Sequence, residues 1–229
     1  MNIEQFSAEF DVLLNSYSII PEEGRTDPFA FTEYEKSVFL TKAQDSLVID
    51  LYSGRNSLGL SFESTEEARR YLAELVQEFT YNIPTPSTIV DIQLPEDLWF
   101  ITYEECKLSD DIVGCLNGTY ILVTPVREDE LYKTQRNPFK GPSEKRVLRI
   151  DVNNIIKLIS KFKIGEYHCH YINKPTPIIL TNIGDLNISG YSEPMECMLD
   201  DSLHNTIVEI AVRLALMSKS QYINKENNQ

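Results

Sequence analysis

The sequence predicts an α+β fold in which helices come first, a mainly antiparallel β-sheet region follows, and one C-terminal helix closes the chain. Three observations carry this. Apolar residues recur at helical spacing up to Phe79, the period becomes that of strands after Pro84-Thr85-Pro86, and helical spacing returns after Asp200. The expected divisions are a helical region over 1–82, a β-rich region over 83–199, and a helix with a polar tail over 200–229. No internal repeat or low-complexity linker separates them.

A first helix is expected over residues 2–18, because Ile3, Phe6, Phe10, Leu13, Leu14 and Tyr17 share one face and acids occupy the other. Pro21, Gly24 and Pro28 break the chain after it. Thr32 and Glu35 then have the spacing of a capping box, in which Thr32 accepts from the first turn and Glu35 reaches back. The helix that follows, to about Tyr52, offers Leu40, Ala43, Leu47 and Leu51 as a stripe, with Val48 and Tyr52 beside it. Ser64-Thr65-Glu66-Glu67 repeats the capping signature, and Ala68, Tyr71, Leu72, Leu75, Val76 and Phe79 predict a third helix. Periodicity leaves open whether these helices cover the sheet or a partner subunit.

Strands are expected around Ile89, Ile92 and Leu94, over Leu98–Tyr103, and over Tyr120–Thr124, with Asn117-Gly118 as a hairpin reversal before the last. A short helix over Asp129–Arg136 leads into a loop, and Val147–Val152 resumes as a strand. Residues 155–164 fit either helix or strand, whereas 166–172 and 176–180 read as strands. Asn182-Ile183-Gly184 and Ser189-Gly190 are turns. The last helix starts near Asp200-Asp201-Ser202, acids well placed at an N-terminus, and runs through Leu203, Ile207, Ile210, Ala211, Leu214 and Met217. The tail from Ser218 is polar, and fraying is expected there.

At 229 residues the chain can bury a core without covalent staples. Four widely spaced cysteines, Cys106, Cys115, Cys169 and Cys197, suit neither a disulfide framework nor a paired metal motif. The first residues lack a basic region and an apolar core, so no signal peptide is expected. The most apolar helix carries Glu209 and Arg213, so no membrane span is expected either. These readings imply a soluble protein made in a reducing cytoplasm. The formal charge of −14 argues against a surface that binds nucleic acid throughout, and suits one that DNA passes without specific binding.

Against that acidity stands one basic stretch, Tyr132–Arg149. Lys133, Arg136, Lys140, Lys145, Arg146 and Arg149 face a single acid, Glu144, giving +5 in a chain whose other residues sum to −19. Pro138 and Pro142 fix the backbone, and Gly141 permits a tight turn. Phe139 stands among polar residues, where it either anchors in a pocket of another subunit or folds back to staple its own loop. Arg136, Pro138, Phe139, Lys140, Lys145, Arg146 and Arg149 are therefore the candidate interface residues. The cations seek an acidic surface on a neighbouring copy, or else phosphate, with Tyr132 and Phe139 available to stack on bases.

The Asn-Pro-Phe-Lys-Gly-Pro element at 137–142, with the Arg-Val-Leu-Arg-Ile-Asp strand at 146–151, resembles the ring or neck proteins of crAss-like tailed phages, which sit between portal and tail. The resemblance extends to Phe31–Gln44 and to Leu199–Leu216. It implies a non-enzymatic virion protein, made in the host cytoplasm, that forms a cyclic ring of twelve copies matching the portal. The partners it implies are further copies, the portal, and the other neck or tail rings around a channel for DNA.

Residues with catalytic or ligating chemistry point elsewhere than to an enzyme. His168 and His170 would share one face of a strand with Cys169 opposite, at most two ligands where zinc takes three or four, so a polar sheet face is the simpler reading. His204 near Asp200 and Asp201 reads as helix-end electrostatics. Glu104-Glu105 and Asp110-Asp111 read as solvated loop charge. Arg69-Arg70 is too small a basic patch for nucleic acid. There is no phosphate loop, nucleophile elbow, H-E-x-x-H or C-x-x-C, and neither cofactor nor metal is expected.

Overall fold

The computed structural model describes residues 1–17, 30–56, 59, 61–109, 114 and 116–226, with side chains to Lys219. The breaks expected at Pro21, Gly24 and Pro28, the Asp110-Asp111 pair, Cys115 and the end of the tail lie outside these residues. In chain order the elements are α1 (Ile3–Tyr17), α2 (Glu33–Ser53), α3 (Glu66–Tyr71), β1 (Val76–Gln93), β2 (Leu98–Leu108), β3 (Tyr120–Pro125), α4 (Leu131–Arg136), β4 (Arg146–Val152), β5 (Ile155–Asn173) and α5 (His204–Glu226). The α+β class is as expected. The chain forms two compact units, one of Met1–Leu75 with Pro175–Gln229, the other of Val76–Lys174.

In the helical unit α1 buries Phe6, Phe10 and Leu14, α2 buries Leu40, Ala43, Leu47 and Leu51, and α5 buries Ile207, Val208, Ala211 and Ala215. Each such large apolar side chain contributes about 1.5–3 kcal/mol. The Thr32 capping box forms as expected: the Glu35 amide donates to Thr32 Oγ1 at 3.3 Å and the Thr32 amide to Glu35 Oε2 at 2.8 Å. Next to its apolar stripe α2 buries Ser37, Thr41 and Gln44. Their partners lie on the extended segment 176–180. The amides of Ile178 and Leu180 donate to Thr41 Oγ1 and Ser37 Oγ at 3.2 and 3.0 Å, and Gln44 Nε2 donates to the Thr176 carbonyl at 2.8 Å.

That pairing corrects one expectation. Residues 176–180 are not a strand; only the Ile179–Met195 bridge is sheet-like, because helix side chains take the hydrogen bonds a neighbouring strand would have supplied. The third helix is corrected too. It ends at Tyr71, a 3-10 turn follows at Ala73–Leu75, and Val76 opens β1. Its capping box is absent, since Thr65 Oγ1 donates to the Ser61 carbonyl at 3.0 Å instead. α5 continues to Glu226, past the point where fraying was expected.

The sheet unit is built on β5, which settles residues 155–164 as strand. β5 pairs antiparallel with β1 along one side and with β4 and then β2 along the other. β2, β3, β4 and β5 close on one another into a small barrel, leaving β1 at the sheet's end. Asn117-Gly118 lies in a turn before β3, with Gly118 at φ 80° and its amide donating to the Leu108 carbonyl, so β2 and β3 already face each other there and the reversal itself falls earlier, within 109–117. β3 and β4 are parallel, however, so the sheet is mixed. Parallel neighbours need a long crossover, and residues 126–145, basic loop included, supply it. Inside lie Ile92, Cys106, Leu108, Val147, Leu158 and Tyr167, while Leu148, Ile150 and Ile159 form a second cluster with Val126 and Leu131.

Candidate assembly interface

The crossover leaves β3 through α4, whose Tyr132 ring lies under the Arg136 guanidinium at 4.1 Å. Asn137 then organises the turn. Its Oδ1 accepts from the amides of Phe139 and Lys140 at 2.9 and 3.2 Å, and its carbonyl accepts from the Gly141 amide at 2.8 Å. Gly141 is buried, and a Cβ there would meet the Asn137 and Gln135 carbonyl oxygens at 2.8 and 2.9 Å, so close backbone approach requires glycine. On the return, Arg146 Nη1 donates to the Phe139 carbonyl at 2.9 Å and Ser143 bridges Arg146. Phe139 is left 87% exposed, which excludes the reading in which it staples its own loop. Pro138, Lys140 and Lys145 are exposed beside it.

Arg149 is a correction to the interface set. It sits inside the unit at 9% exposure, with Nη1 donating to Glu104 Oε1 at 2.5 Å and Nη2 to Asp151 Oδ2 at 3.2 Å. Tyr167 Oη donates to Glu104 Oε2 at 3.0 Å. Glu104 is thus a buried strand residue, not a solvated loop charge. Burial pushes its carboxyl up, and Arg149 and Tyr167 pull against that shift. Burial also lowers Arg149, but Glu104 and Asp151 outweigh it and hold the guanidinium above its ordinary value. Burial raises the Tyr167 hydroxyl as well.

The other titratable groups singled out in the sequence are dispersed over the fold. His168 and His170 share a face, their rings 5.0 Å apart, and Cys169 is buried opposite. His168 Nε2 lies 2.6 Å from Glu78 Oε1, and that contact holds the Glu78 carboxyl below its ordinary value. Tyr103 donates to Glu105 at 2.8 Å on the same sheet. Among the described residues no three histidine, cysteine or acidic side chains are grouped to hold a metal ion. His204 is buried at the start of α5, with Nε2 2.9 Å from the Leu199 carbonyl and Nδ1 3.1 Å from Asp201, in keeping with helix-end electrostatics.

Phe139 thus stands exposed on a basic loop whose backbone is held by its own hydrogen bonds. The family described as phage tail ring protein 3/4 matches residues 1–227. The chain belongs to that family. Ring protein 3 of Bacteroides phage crAss001 is 46% identical over 238 aligned positions, covering 99% of this chain and all of the relative. Ring protein 4/5 of the same phage is 33% identical over 233 positions, covering 94% and 92% of the two chains. This is a ring protein of a crAss-like phage, with a structural role in a virion ring. Among the described residues of this ring protein no helix is long and apolar enough to cross a membrane.

In the ring protein's sequence, two residues of this site carried signals that were missed. Alternation along Val147–Ile150 puts Arg149 on the face of Val147, the barrel side. Asn137 before Pro138 is a side-chain-capped turn in its own right. Glu104 offered no local signal, because its partners lie 45 and 63 residues away.

Proposed function

We propose that this ring protein forms a closed cyclic ring in the neck of the virion, between portal and tail, without enzymatic activity and around an axial passage for DNA. Repeated head-to-tail contacts of one kind close a ring when the rotation between copies is right. Twelve copies would match the portal, as the resemblance to neck proteins implies, and the other neck or tail rings are the further neighbours. Assembly starts from protein made in the host cytoplasm. The charge of −14 favours passage of DNA, since an acidic wall repels phosphate.

Docking in this reading uses Phe139 with Arg136, Pro138, Lys140, Lys145 and Arg146, while Arg149 supports the loop from within. The observation that carries it is Phe139, almost wholly exposed on a loop whose backbone is already pinned, so that little ordering cost opposes its burial. Loss of such an anchor costs about 2 kcal/mol or more per site.

The test is native mass of the purified protein, alone and with purified portal, at low and moderate salt. A fixed ring-like ratio is expected with portal. The combined variant Phe139→Ala, Lys140→Glu, Lys145→Glu is expected to stay folded by circular dichroism and fail to bind. Normal incorporation of that variant into particles would remove the docking role. Wild-type protein that stays monomeric with portal and binds DNA with steep salt dependence would replace the ring by a nucleic-acid-binding module.

A further inference from the structure

Acidity in this chain belongs to one unit. The residues of the helical unit carry 21 acidic side chains against nine basic ones, whereas those of the sheet unit carry 14 against 12 and include the whole basic loop. Within the helical unit the first turns of α1 and α2 border an open cleft of about 400 Å³ lined by Ile3, Glu4, Ala8, Glu33 and Leu180. Glu4 makes no ion pair among the described residues. Glu33 Oε1 accepts from Ser7 Oγ and from Lys36 Nζ, which also bonds Asp11. Two carboxylates therefore share one ammonium while Glu4 stands apart from it, leaving net negative charge beside Ile3, Ala8 and Leu180.

We infer that this cleft, on a second copy of the chain, receives Phe139, with Lys140 and Lys145 meeting Glu4 and Glu33. The inference rests on the docking reading above and names its acceptor. A cleft of similar size sets Arg127 beside Glu128 and Asp151, and a smaller one sets Lys107 beside Glu166. Each of these holds a cation that competes with the loop's own lysines for its carboxylates; of the three, only the α1–α2 cleft offers carboxylates without a cation in its lining. Loop and cleft come from different segments, so every copy carries both halves of a heterologous contact, the kind that propagates around a ring. Charge attraction orients the loop, and burial of the phenyl ring holds it.

The experiment places p-benzoylphenylalanine at Phe139, irradiates portal-bound rings or particles assembled with that protein, and maps the attached peptide by mass spectrometry. Attachment to residues 1–17 or 176–181 of another copy is expected. Glu4→Lys is expected to weaken assembly at least about tenfold, with recovery when Lys140→Glu is present in the same chain. Attachment elsewhere on a copy, or to a different virion protein, overturns the cleft; if the triple loop variant still blocks assembly, the docking reading survives that result. Unaltered assembly with Glu4→Lys also overturns the cleft. Normal assembly of the triple loop variant overturns both.

Discussion

Arg149 and Glu104 illustrate how a charge can be removed from one role by being required in another. Each side chain is about nine-tenths buried, and each is costly to bury alone, but the carboxylate accepts from a guanidinium and a phenol while the guanidinium reaches a second acid at Asp151. Taking away one partner strands the other. Glu104→Gln and Arg149→Met are each expected to cost about 3 kcal/mol or more, and the double variant less than their sum, measured by urea unfolding. Additive losses would mean that the pair is not coupled. Arg149 was legible in the strand alternation of 147–150; Glu104 was not, since only the folded barrel brings its partners to it.

Elements show the same limit. The Thr32 signature and the Thr65 signature look alike in sequence, yet only Thr32 accepts from its first turn, whereas the Thr65 hydroxyl is directed back to donate to the Ser61 carbonyl. Val76 and Phe79 continue a helical period, but pairing with Ile172 and Cys169 on β5 makes them strand, an instance of tertiary contact overriding local preference. For residues 176–180 the competing partner is a helix. Thr41→Val keeps the shape of the side chain and leaves the buried Ile178 amide without its acceptor. A loss of about 1–3 kcal/mol in stability is expected in thermal or urea unfolding, with α2 retained by circular dichroism. An unchanged stability would show that the segment does not depend on α2 for its hydrogen bonds.

For the whole molecule, the division of charge between the two units has a consequence for assembly. A basic loop meeting an acidic cleft across a solvated interface is screened by salt, while the apolar cores of the units are not. Raising ionic strength from ~0.1 to ~1 M shortens the screening length from ~10 to ~3 Å. Ring assembly is expected to weaken over that range in sedimentation or native-mass measurements, with the melting temperature of the unassembled chain not falling. Assembly that strengthens with salt would point to an interface dominated by apolar burial. The parallel β3–β4 pairing belongs to this scale as well, because it obliges the chain to make the crossover on which the loop is presented.

By itself the sequence determined the α+β class, most helices and strands, the charge asymmetry and a loop built to be presented, since propensity, periodicity and turn chemistry act over a few residues. The segments 31–44, 137–142, 146–151 and 199–216 carried the resemblance to the family that matches residues 1–227. Only the tertiary structure decided the closed, partly parallel barrel, the strand identity of 76–79, the withdrawal of Arg149 and Glu104 into the interior, and the exposure of Phe139. Each of these depends on which distant segment supplies a hydrogen-bond partner or covers a side chain, and that information is not local to any stretch of the chain.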